Sequence, residues 1–410
     1  MRKTLLIIGY VWPEPKSSAA GSRMMQLIHA FKAQNFQVTF ATPCARNENA
    51  FDLPSIGIQT ANIQLNDPSF DDFVKDLEPD IVLFDRYMME EQFGWRVAEH
   101  CPGTLRILDT EDLHCLRKGR HNALKDQVEF NTDYLFNDLA KREIASMYRC
   151  DLSLIISEFE MELLQNFFKV TPQLLHYLPF MFESLSANEI ENLTDFEDRD
   201  HFVCVGNYLH EPNLDSLVFL KESIWPLIRA EFSEAQLHSY GAYESQKVKH
   251  LHDRNSGFLI KGFVEDIDHI LKSAKICLAP LRFGAGLKGK IFDAMRNGTP
   301  CIMTSVAAEG ILDLKDWKGC ITDDIETFAM EAIALFKDND LWSSKQKEGI
   351  HVLSKFDESE FKIALFSKID NILTNLKDHR SKNFTGQMLM HHSLQSTKYL
   401  SKYIEMKQKK

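Results

Sequence analysis

The chain of 410 residues is long enough for two domains with full-sized cores. Hydrophobic residues make up 44% of it and charged residues 26%, as in an ordinary globular protein, and the net charge of -12 argues against broad nucleic-acid binding. No apolar stretch approaches a membrane span, and the apolar N-terminal run ends at Pro13 without a signal-peptide cleavage site, so we expect a cytoplasmic protein.

Short apolar runs alternate with helical patterns along the first half of the chain. TLLIIGYV (4–11) is typical of a buried strand, and apolar residues at helical spacing follow over residues 21–34. The longest helical stretch is predicted from about His121 to Tyr148. Further strands are predicted at FQVTFATP, DIVLFD (80–85), LRILDT (105–110) and LSLIIS (152–157). This alternation predicts a parallel sheet with helices on both faces.

An acidic, strand-poor segment near residues 182–200 is a plausible linker, and a second α/β series starts after it. We therefore expect an α/β protein of two facing, doubly wound, Rossmann-like domains, residues 1–185 and 200–338, followed by C-terminal helices over 339–410 that pack back across the domains. The predicted strands of the second series are FVCVGN (202–207), AQLHSYG (235–241), GFLIKGF (257–263), KICLAPL (275–281), PCIMTS (300–305) and GCITDD (319–324).

The last helix, within STKYLSKYIEMKQKK, brings apolar residues together at helical spacing among several lysines. One interpretation is a solvated helix packed through that apolar face, and the other is a weak contact with a membrane surface. The residues concerned are Tyr399, Leu400, Tyr403 and Ile404.

The eight cysteines form no CxxC pair and no zinc-like cluster. Cys204, Cys277 and Cys301 lie in apolar runs, which predicts reduced thiols in the core.

The segment PLRFGAGLKGKIFDAMRNG (280–298) joins a predicted strand to a predicted helix through a turn rich in glycine and cations. Gly284 and Gly286 have no Cβ to obstruct an anion that approaches the unpaired N–H groups of the first helical turn. Arg282, Lys288 and Lys290 add positive charge, so we expect a diphosphate here. The alternative is a tight turn with exposed surface cations.

Two common nucleotide motifs do not fit. The spacing differs from GxxxxGK[ST], which excludes a P-loop NTPase, and no GxGxxG follows the first strand, which weighs against NAD or FAD.

The segment resembles the donor-binding signature of retaining glycosyltransferases of family 4 (glycosyl transferases group 1), which have the GT-B architecture. It is most similar to the subgroup with a G-x-G-x-K-x-K pattern followed by an acidic residue, GxP and EG. ILDTEDLHCLRKGR (107–120), VGNYLHEPNLDSL (205–217) and GFVEDI (262–267) extend the likeness. The pattern is carried by Gly284, Gly286, Lys288, Lys290, Asp293, Gly298, Pro300, Glu309 and Gly310.

The resemblance implies that the second domain binds a nucleotide-diphosphate sugar and that the first faces the acceptor. Asp293 would bind the ribose, Phe263 and Val264 would border the base, and Gly206 and Asn207 would line the cleft. The implied diphosphate contacts are Gly284, Gly286, Leu287, Lys288 and Lys290, with Glu309 completing the donor site.

This chain departs from the family pattern at two places. Ala285 stands where the first glutamate of the EX7E motif is expected, and the usual basic residue after the first strand of the second domain is absent. Our hypothesis is that Arg282 and Lys288 supply the missing charge.

The first domain contributes two candidate segments. The loop PEPKSSAAGSR (13–23) opens a helix, so Gly21 and Arg23 would close the donor site, unless it is an ordinary flexible loop. His114 ends the acidic segment ILDTEDLH and best matches the histidine that the family places beside the transferred sugar, with Asp109 or Glu111 orienting its ring.

The resemblance therefore implies a retaining glycosyltransferase in which Lys288 and Arg282 would stabilise the departing diphosphate and His114 would act beside the sugar. The expected acceptor is a glycan, a lipid-linked or a small molecule, as in cell-surface polysaccharide or glycoconjugate synthesis. No acidic cluster has the pattern of a metal site, so we expect no metal and no cofactor. The alternatives are a sugar-nucleotide epimerase of the same fold and a catalytically silent protein that binds glycan or a partner.

Overall fold

The computed structural model describes residues 3–312 and 319–408, and the first part of the chain forms a seven-stranded sheet. All of its strand pairs are parallel, in the order β3-β2-β1-β4-β5-β6-β7. The strands are β1 (Thr4–Ile8), β2 (Gln37–Thr42), β3 (Gln59–Asn62), β4 (Ile81–Asp85), β5 (Leu105–Asp109), β6 (Leu152–Ile155) and β7 (Leu175–Tyr177).

Successive residues of the central strand β1 serve opposite faces of this sheet, because side chains alternate along a strand. Leu5 and Ile7 belong to one buried cluster, and Leu6 and Ile8 belong to another. Both faces are therefore covered by helices. These helices and their successors are α1 (Ala19–Ala33), α2 (Ser69–Leu77), α3 (Arg86–His100), α4 (His114–Lys125), α5 (Asp138–Arg149), α6 (Glu158–Glu162) and α7 (Ala187–Glu191).

The second sheet has five parallel strands among the described residues, in the order β10-β9-β8-β11-β12. They are β8 (Asp200–Val205), β9 (Leu237–Tyr240), β10 (Phe258–Gly262), β11 (Ala274–Ala279) and β12 (Cys301–Met303). The accompanying helices are α8 (Glu211–Phe219), α9 (Trp225–Glu231), α10 (Gln246–Lys249), α11 (Ile267–Ser273), α12 (Gly289–Arg296), α13 (Ser305–Ala308) and α14 (Ile325–Lys337).

The C-terminal helices return to the first sheet. Phe366 of the second of them packs edge-on against Phe31 of α1, with ring centroids 5.1 Å apart. His379 and Arg380 of the third donate to Asp151 of the first part. The four helices are α15 (Asn339–Leu353), α16 (Glu358–Thr374), α17 (Leu376–Ser381) and α18 (Phe384–Gln408).

The two predicted α/β series and the helical C-terminus are thus confirmed. The first sheet ends at Tyr177 and the second begins at Asp200. The exact domain limits 1–185, 200–338 and 339–410 stay predictions. Cys204, Cys277 and Cys301 are buried free thiols, as expected. Among the described residues, no helix is long and apolar enough to cross a membrane.

Several local predictions were wrong. The long helix expected from about His121 to Tyr148 is divided into α4 and α5 by a connection that contains a short 3-10 helix (Thr132–Leu135), and Asn137 caps α5. Strands β3 and β7 were missed because they are short and mostly polar or interrupted. Residues 319–324 do not form a strand, and Ile321 makes only an isolated bridge to Met303.

Three of the four apolar residues singled out in α18 lie outside its packed face, and the fourth, Ile404, is half-buried. Tyr399, Leu400 and Tyr403 are exposed, whereas Ser401 is buried. Glu405 pairs with the buried Arg96 of α3 instead. Hydrogen bonds from Arg96 to Ser401 and Glu405 therefore contribute to the attachment of the helix.

Candidate active site

The carboxyl ends of the two sheets face each other where the strand order reverses. In open α/β sheets, this switch point is where ligands bind. In the second sheet it lies between β8 and β11, and the glycine and lysine turn follows β11 directly. In the first sheet it lies between β1 and β4, beside the loop 9–18. The fold thus brings the predicted donor segments to one cleft.

The turn before α12 approaches the first domain very closely at Gly286. This residue has a φ of +62°, and a Cβ built there would lie 2.8 Å from the Cβ of Asp112. Its N–H donates to Oε1 of Glu160 at 2.8 Å. Glycine is required at this position both for its left-handed conformation and for the contact with the facing domain.

Gly284 lies in the same turn and has more space, since the nearest atom to an added Cβ is 3.6 Å away. Its carbonyl accepts from Arg120 at 2.9 Å, and Arg120 also forms a fork-like pair with Glu309. Glu309 therefore holds a first-domain arginine against the turn. Leu287 is buried beside Gly310.

Lys288 immediately precedes α12 and is buried, with its Nζ donating to the carbonyl of Gly286 at 2.7 Å. Burial lowers the pKa of Lys288 to about 8, with Glu309 opposing and Arg120 adding to the shift. Lys290 donates to Oδ1 of Asn213 at 2.8 Å, and burial lowers its pKa as well. Lys288 is thus enclosed in the cleft wall, whereas Lys290 is half-buried.

Arg282 points away from these lysines. Its guanidinium forms a two-point ion pair with Asp215 of α8 and lies 4.8 Å above the ring of Phe219. The predicted catalytic residues Lys288 and Arg282 are therefore on the same turn but have different partners.

The predicted ribose and base contacts lie around the same cleft. Burial, reinforced by Asp268, raises the pKa of Asp293 to about 7. Phe263 follows β10 and is exposed, with Val264 beside it half-buried. Gly206 directly follows β8, and the side chain of Asn207 donates to the carbonyl of Ser17 across the cleft at 3.3 Å.

Gly21 and Arg23 both lie in α1 and have partners within the first domain. The Gly21 N–H donates to the Ser18 hydroxyl that caps the helix. Arg23 is fully buried, bonds Asp109 through two nitrogens and donates to the carbonyl of Leu178 at 2.7 Å. Asp109 is therefore used by Arg23, and the donor contacts predicted for Gly21 and Arg23 stay predictions.

His114 begins α4 at the carboxyl end of β5. Its ring packs edge-on against Tyr87, and its Nε2 lies 3.5 Å from Oδ1 of Asp112. Burial lowers the pKa of His114 to about 4. The imidazole is therefore neutral near pH 7. Asp112 is its acidic neighbour, rather than the predicted Asp109 or Glu111.

Three residues at this cleft were missed from the sequence. Glu160 of α6 accepts from the N–H of Leu113 and of Gly286, and burial raises its pKa to about 8. Arg120 bridges the domains, although it lay in a segment already noted for its family likeness. The third is His210, an exposed residue that lies close enough to Arg117 and Asp112 of the first domain to interact with their charges.

These missed residues had little signal in the sequence. Glu160 follows a strand end in ISEFE, a pattern equally typical of a surface helix. Its role depends on a residue 126 positions away in the chain. Within the described residues, no three His, Cys, Asp or Glu side chains cluster as metal ligands would. The expectation of chemistry without a metal stays a prediction.

Residues 199–338, which include the turn and both lysines, match the family model described as glycosyl transferases group 1. The second part of the chain is therefore similar to a group 1 glycosyl transferase domain. The prediction of a glycosyltransferase domain is thus confirmed at this level. Comparison with curated protein sequences gives no match.

Solved structures of similar architecture span nearly the whole chain. Sucrose-phosphate synthase from Thermosynechococcus elongatus superposes with a TM-score of 0.66 at 14% identity, covering 91% of this chain and 100% of that one. Anabaena Alr3699/HepE in complex with UDP and glucose gives 0.65 at 12% identity, with 89% and 99% covered. The pneumococcal O-GlcNAc transferase GtfA in complex with UDP and GlcNAc gives 0.65 at 13%, with 91% and 99% covered. The predicted GT-B fold is confirmed.

Proposed function

We propose that the protein is a retaining glycosyltransferase of family 4, in the subgroup with the G-x-G-x-K-x-K pattern. It transfers a sugar from a nucleotide-diphosphate sugar to a glycan, a lipid-linked or a small-molecule acceptor in polysaccharide or glycoconjugate synthesis. The observation that carries the proposal is the buried Lys288 at the glycine turn before α12, within the segment that matches the family model.

The diphosphate would lie against this turn and receive charge from Lys288 and from the amino end of α12. With a pKa of about 8, Lys288 is protonated at neutral pH, and its burial strengthens its attraction to a phosphate. Preorganised positive charge of this kind stabilises a departing anion without reorganisation. In the proposal, the diphosphate replaces the Glu160 carboxyl group at the Gly286 N–H.

His114 would donate a hydrogen bond to a hydroxyl of the transferred sugar, because a neutral imidazole carries one N–H donor. The low pKa supports hydrogen bonding rather than a fixed positive charge. Retention would follow if the departing diphosphate oxygen accepts the acceptor's proton on the same face of the sugar. The remaining donor contacts are proposed as predicted from the sequence, with Asp293 on the ribose.

A screen of UDP-, GDP-, dTDP- and ADP-sugars by thermal shift tests donor binding, since a ligand of the folded state raises its apparent stability. UDP-glucose and UDP-GlcNAc are tested first, because two of the similar structures are complexes with UDP and glucose and with UDP and GlcNAc. Donor hydrolysis or transfer is then measured for the wild type and for His114→Ala. Loss of turnover with retained donor binding is expected, and conversion of a donor without acceptor or water would instead indicate an epimerase.

A binding protein without catalysis is the second candidate, and one observation favours it. Ala285, at the position of the missing glutamate, packs into a core cluster of the first domain. Nucleotide binding without turnover of any donor would support this candidate. The proposed cellular setting is the cytoplasm with weak contact to a membrane surface, for which Tyr399, Leu400 and Tyr403 of α18 are exposed.

A further inference from the structure

A second cavity, here called the distal pocket, lies at the amino ends of the strands of the first sheet, whereas the cleft lies at their carboxyl ends. It has a volume of about 640 Å³, within the usual range of small-molecule sites. It lies between the amino ends of β5 and β6, helices α3 and α5, and the C-terminal helices α17 and α18. Residues that carry its chemistry are Trp95, Arg106, Asp151, Arg380, Met390 and Lys398.

Two buried donors at the distal pocket have no hydrogen-bond acceptor among the described residues. These are Nε1 of Trp95 and Nε of Arg106, whose residues are only 3% and 9% exposed. Nη1 of Arg106 meets only the thioether sulfur of Met390, at 3.6 Å. A buried donor without an acceptor costs about 1–3 kcal/mol, so unpaired groups of this kind require an explanation.

The charges around the pocket are also unbalanced. Asp151 is bonded at both oxygens by the guanidinium of Arg380, at 2.7 Å each, and accepts from the Arg106 backbone N–H. The Arg106 Nε lies 3.7 Å from the same carboxylate, beyond hydrogen-bonding distance. Two guanidinium groups therefore share one carboxylate, which leaves one positive charge uncompensated. Lys398 is separately paired with Glu99.

We propose that the distal pocket binds a phosphate group of a small organic molecule. The free donors are single N–H groups on different elements, and a tetrahedral phosphate can accept from several directions at once. A planar carboxylate would suit the two-point geometry of Arg380, but Asp151 already occupies it. The pocket does not depend on the proposed transferase activity, because it lies at the amino ends of strands whose carboxyl ends form the cleft.

Two kinds of molecule could carry this phosphate group: a soluble phosphate ester or a lipid with a phosphate headgroup. Helix α18 forms one wall of the pocket. Phe384 and Met388, which are close in sequence to its pocket-lining residues, are apolar and exposed to solvent. The two sources are distinguished by separate arms of the test.

The experiment uses the full chain carrying Lys288→Ala, so that phosphate binding in the cleft is suppressed. Calorimetry with inorganic phosphate and with glycerol 3-phosphate is expected to show saturable binding. Trp95→Phe, which removes the N–H together with the pyrrole part of the indole ring, and Arg106→Gln should each weaken it at least tenfold. Arg254→Gln, at an exposed arginine of the second domain, is the matched control and should bind as before.

The lipid arm measures co-sedimentation with vesicles that contain phosphatidic acid. Vesicle binding that requires Trp95 and Arg106 would assign the phosphate to a headgroup, and binding of only the soluble probes would assign it to a free ester. Circular dichroism and the melting temperature verify that each variant is folded. Binding of neither soluble probe nor vesicle, or binding equal in folded Trp95→Phe, Arg106→Gln and Arg254→Gln, overturns the proposal.

Discussion

The carboxyl group of Glu160 in the first domain accepts a hydrogen bond from the Gly286 N–H in the second, at 2.8 Å. A carboxyl group thus accepts the backbone N–H that we predicted, from the sequence, to bind a phosphate. The burial of Glu160 raises its pKa to about 8, so it is mostly uncharged at neutral pH. This contact joins the two domains, and in the proposed function it would connect donor binding to the protonation of one first-domain residue.

Replacing Glu160 by glutamine should strengthen the binding of a nucleoside diphosphate at high pH. Above pH 8 the wild-type carboxyl is ionised and repels the diphosphate, whereas below pH 7 both proteins carry a neutral group here. An advantage of about three- to tenfold for Glu160→Gln at pH 9, and little difference at pH 6, is expected from roughly 1 kcal/mol of charge repulsion. Calorimetry at the two pH values measures it, and equal affinities at pH 9 would contradict the assignment.

Lys288 should make nucleoside diphosphate binding weaken as the pH rises through about 8. The ammonium form predominates below the pKa of about 8 and loses its charge above it, so the attraction to phosphate is lost in that direction. Lys288→Arg keeps the charge and should reduce the pH dependence of the Kd between pH 7 and 9 to the part that comes from Glu160, which still ionises in this range. Lys288→Ala should weaken binding at pH 7 by at least tenfold.

The matched control for these variants is Lys247→Ala, an exposed lysine of α10. It should leave the Kd unchanged at every pH. Unchanged affinity in Lys288→Ala would count against the phosphate role of the turn.

Gly286→Ala should weaken donor binding, whereas an alanine that causes only backbone strain elsewhere in the protein should not. Gly57 also has a left-handed φ, +77°, but has no atom within 4 Å of an added Cβ, so Gly57→Ala isolates the strain. That strain costs about 1–2 kcal/mol of unfolding free energy. Gly286→Ala adds a collision with Asp112 and should also weaken nucleoside diphosphate binding at least fivefold. Urea unfolding and calorimetry compare the two variants, and identical behaviour would exclude a role for the close approach.

Arg23 and Asp109 should stabilise the first domain as a pair. Arg23→Met alone leaves a buried, unpaired carboxylate and should lower the free energy of unfolding by about 3–5 kcal/mol. The double variant Arg23→Met, Asp109→Leu removes both charges and should recover much of that loss. Urea unfolding of the wild type, Arg23→Met, Asp109→Leu and the double variant gives the coupling energy. A double variant no more stable than Arg23→Met would show that packing, not the unpaired charge, dominates.

Much of the fold was predictable because apolar runs such as TLLII and DIVLF bury both faces of a parallel strand. The short strands β3 and β7 lacked such runs, because they are the two edge strands of the sheet and are less enclosed than the central strands. The interruption between α4 and α5 was missed because charged residues on both sides preserve a helical pattern. The exposure of Tyr399 and Leu400 was missed because helical spacing does not specify what the other surface offers.

The candidate site divides in the same way. The sequence by itself determined the glycine turn, its lysines and their position after a strand, since these depend on neighbours along the chain. Only the tertiary structure decided that Glu160 and Arg120 meet that turn and that Arg23 pairs with Asp109. It also decided that Arg282 pairs with Asp215. Such pairings join residues far apart in the chain, and burial then sets their pKa values, because both the distance between charges and their separation from water arise only when the domains pack.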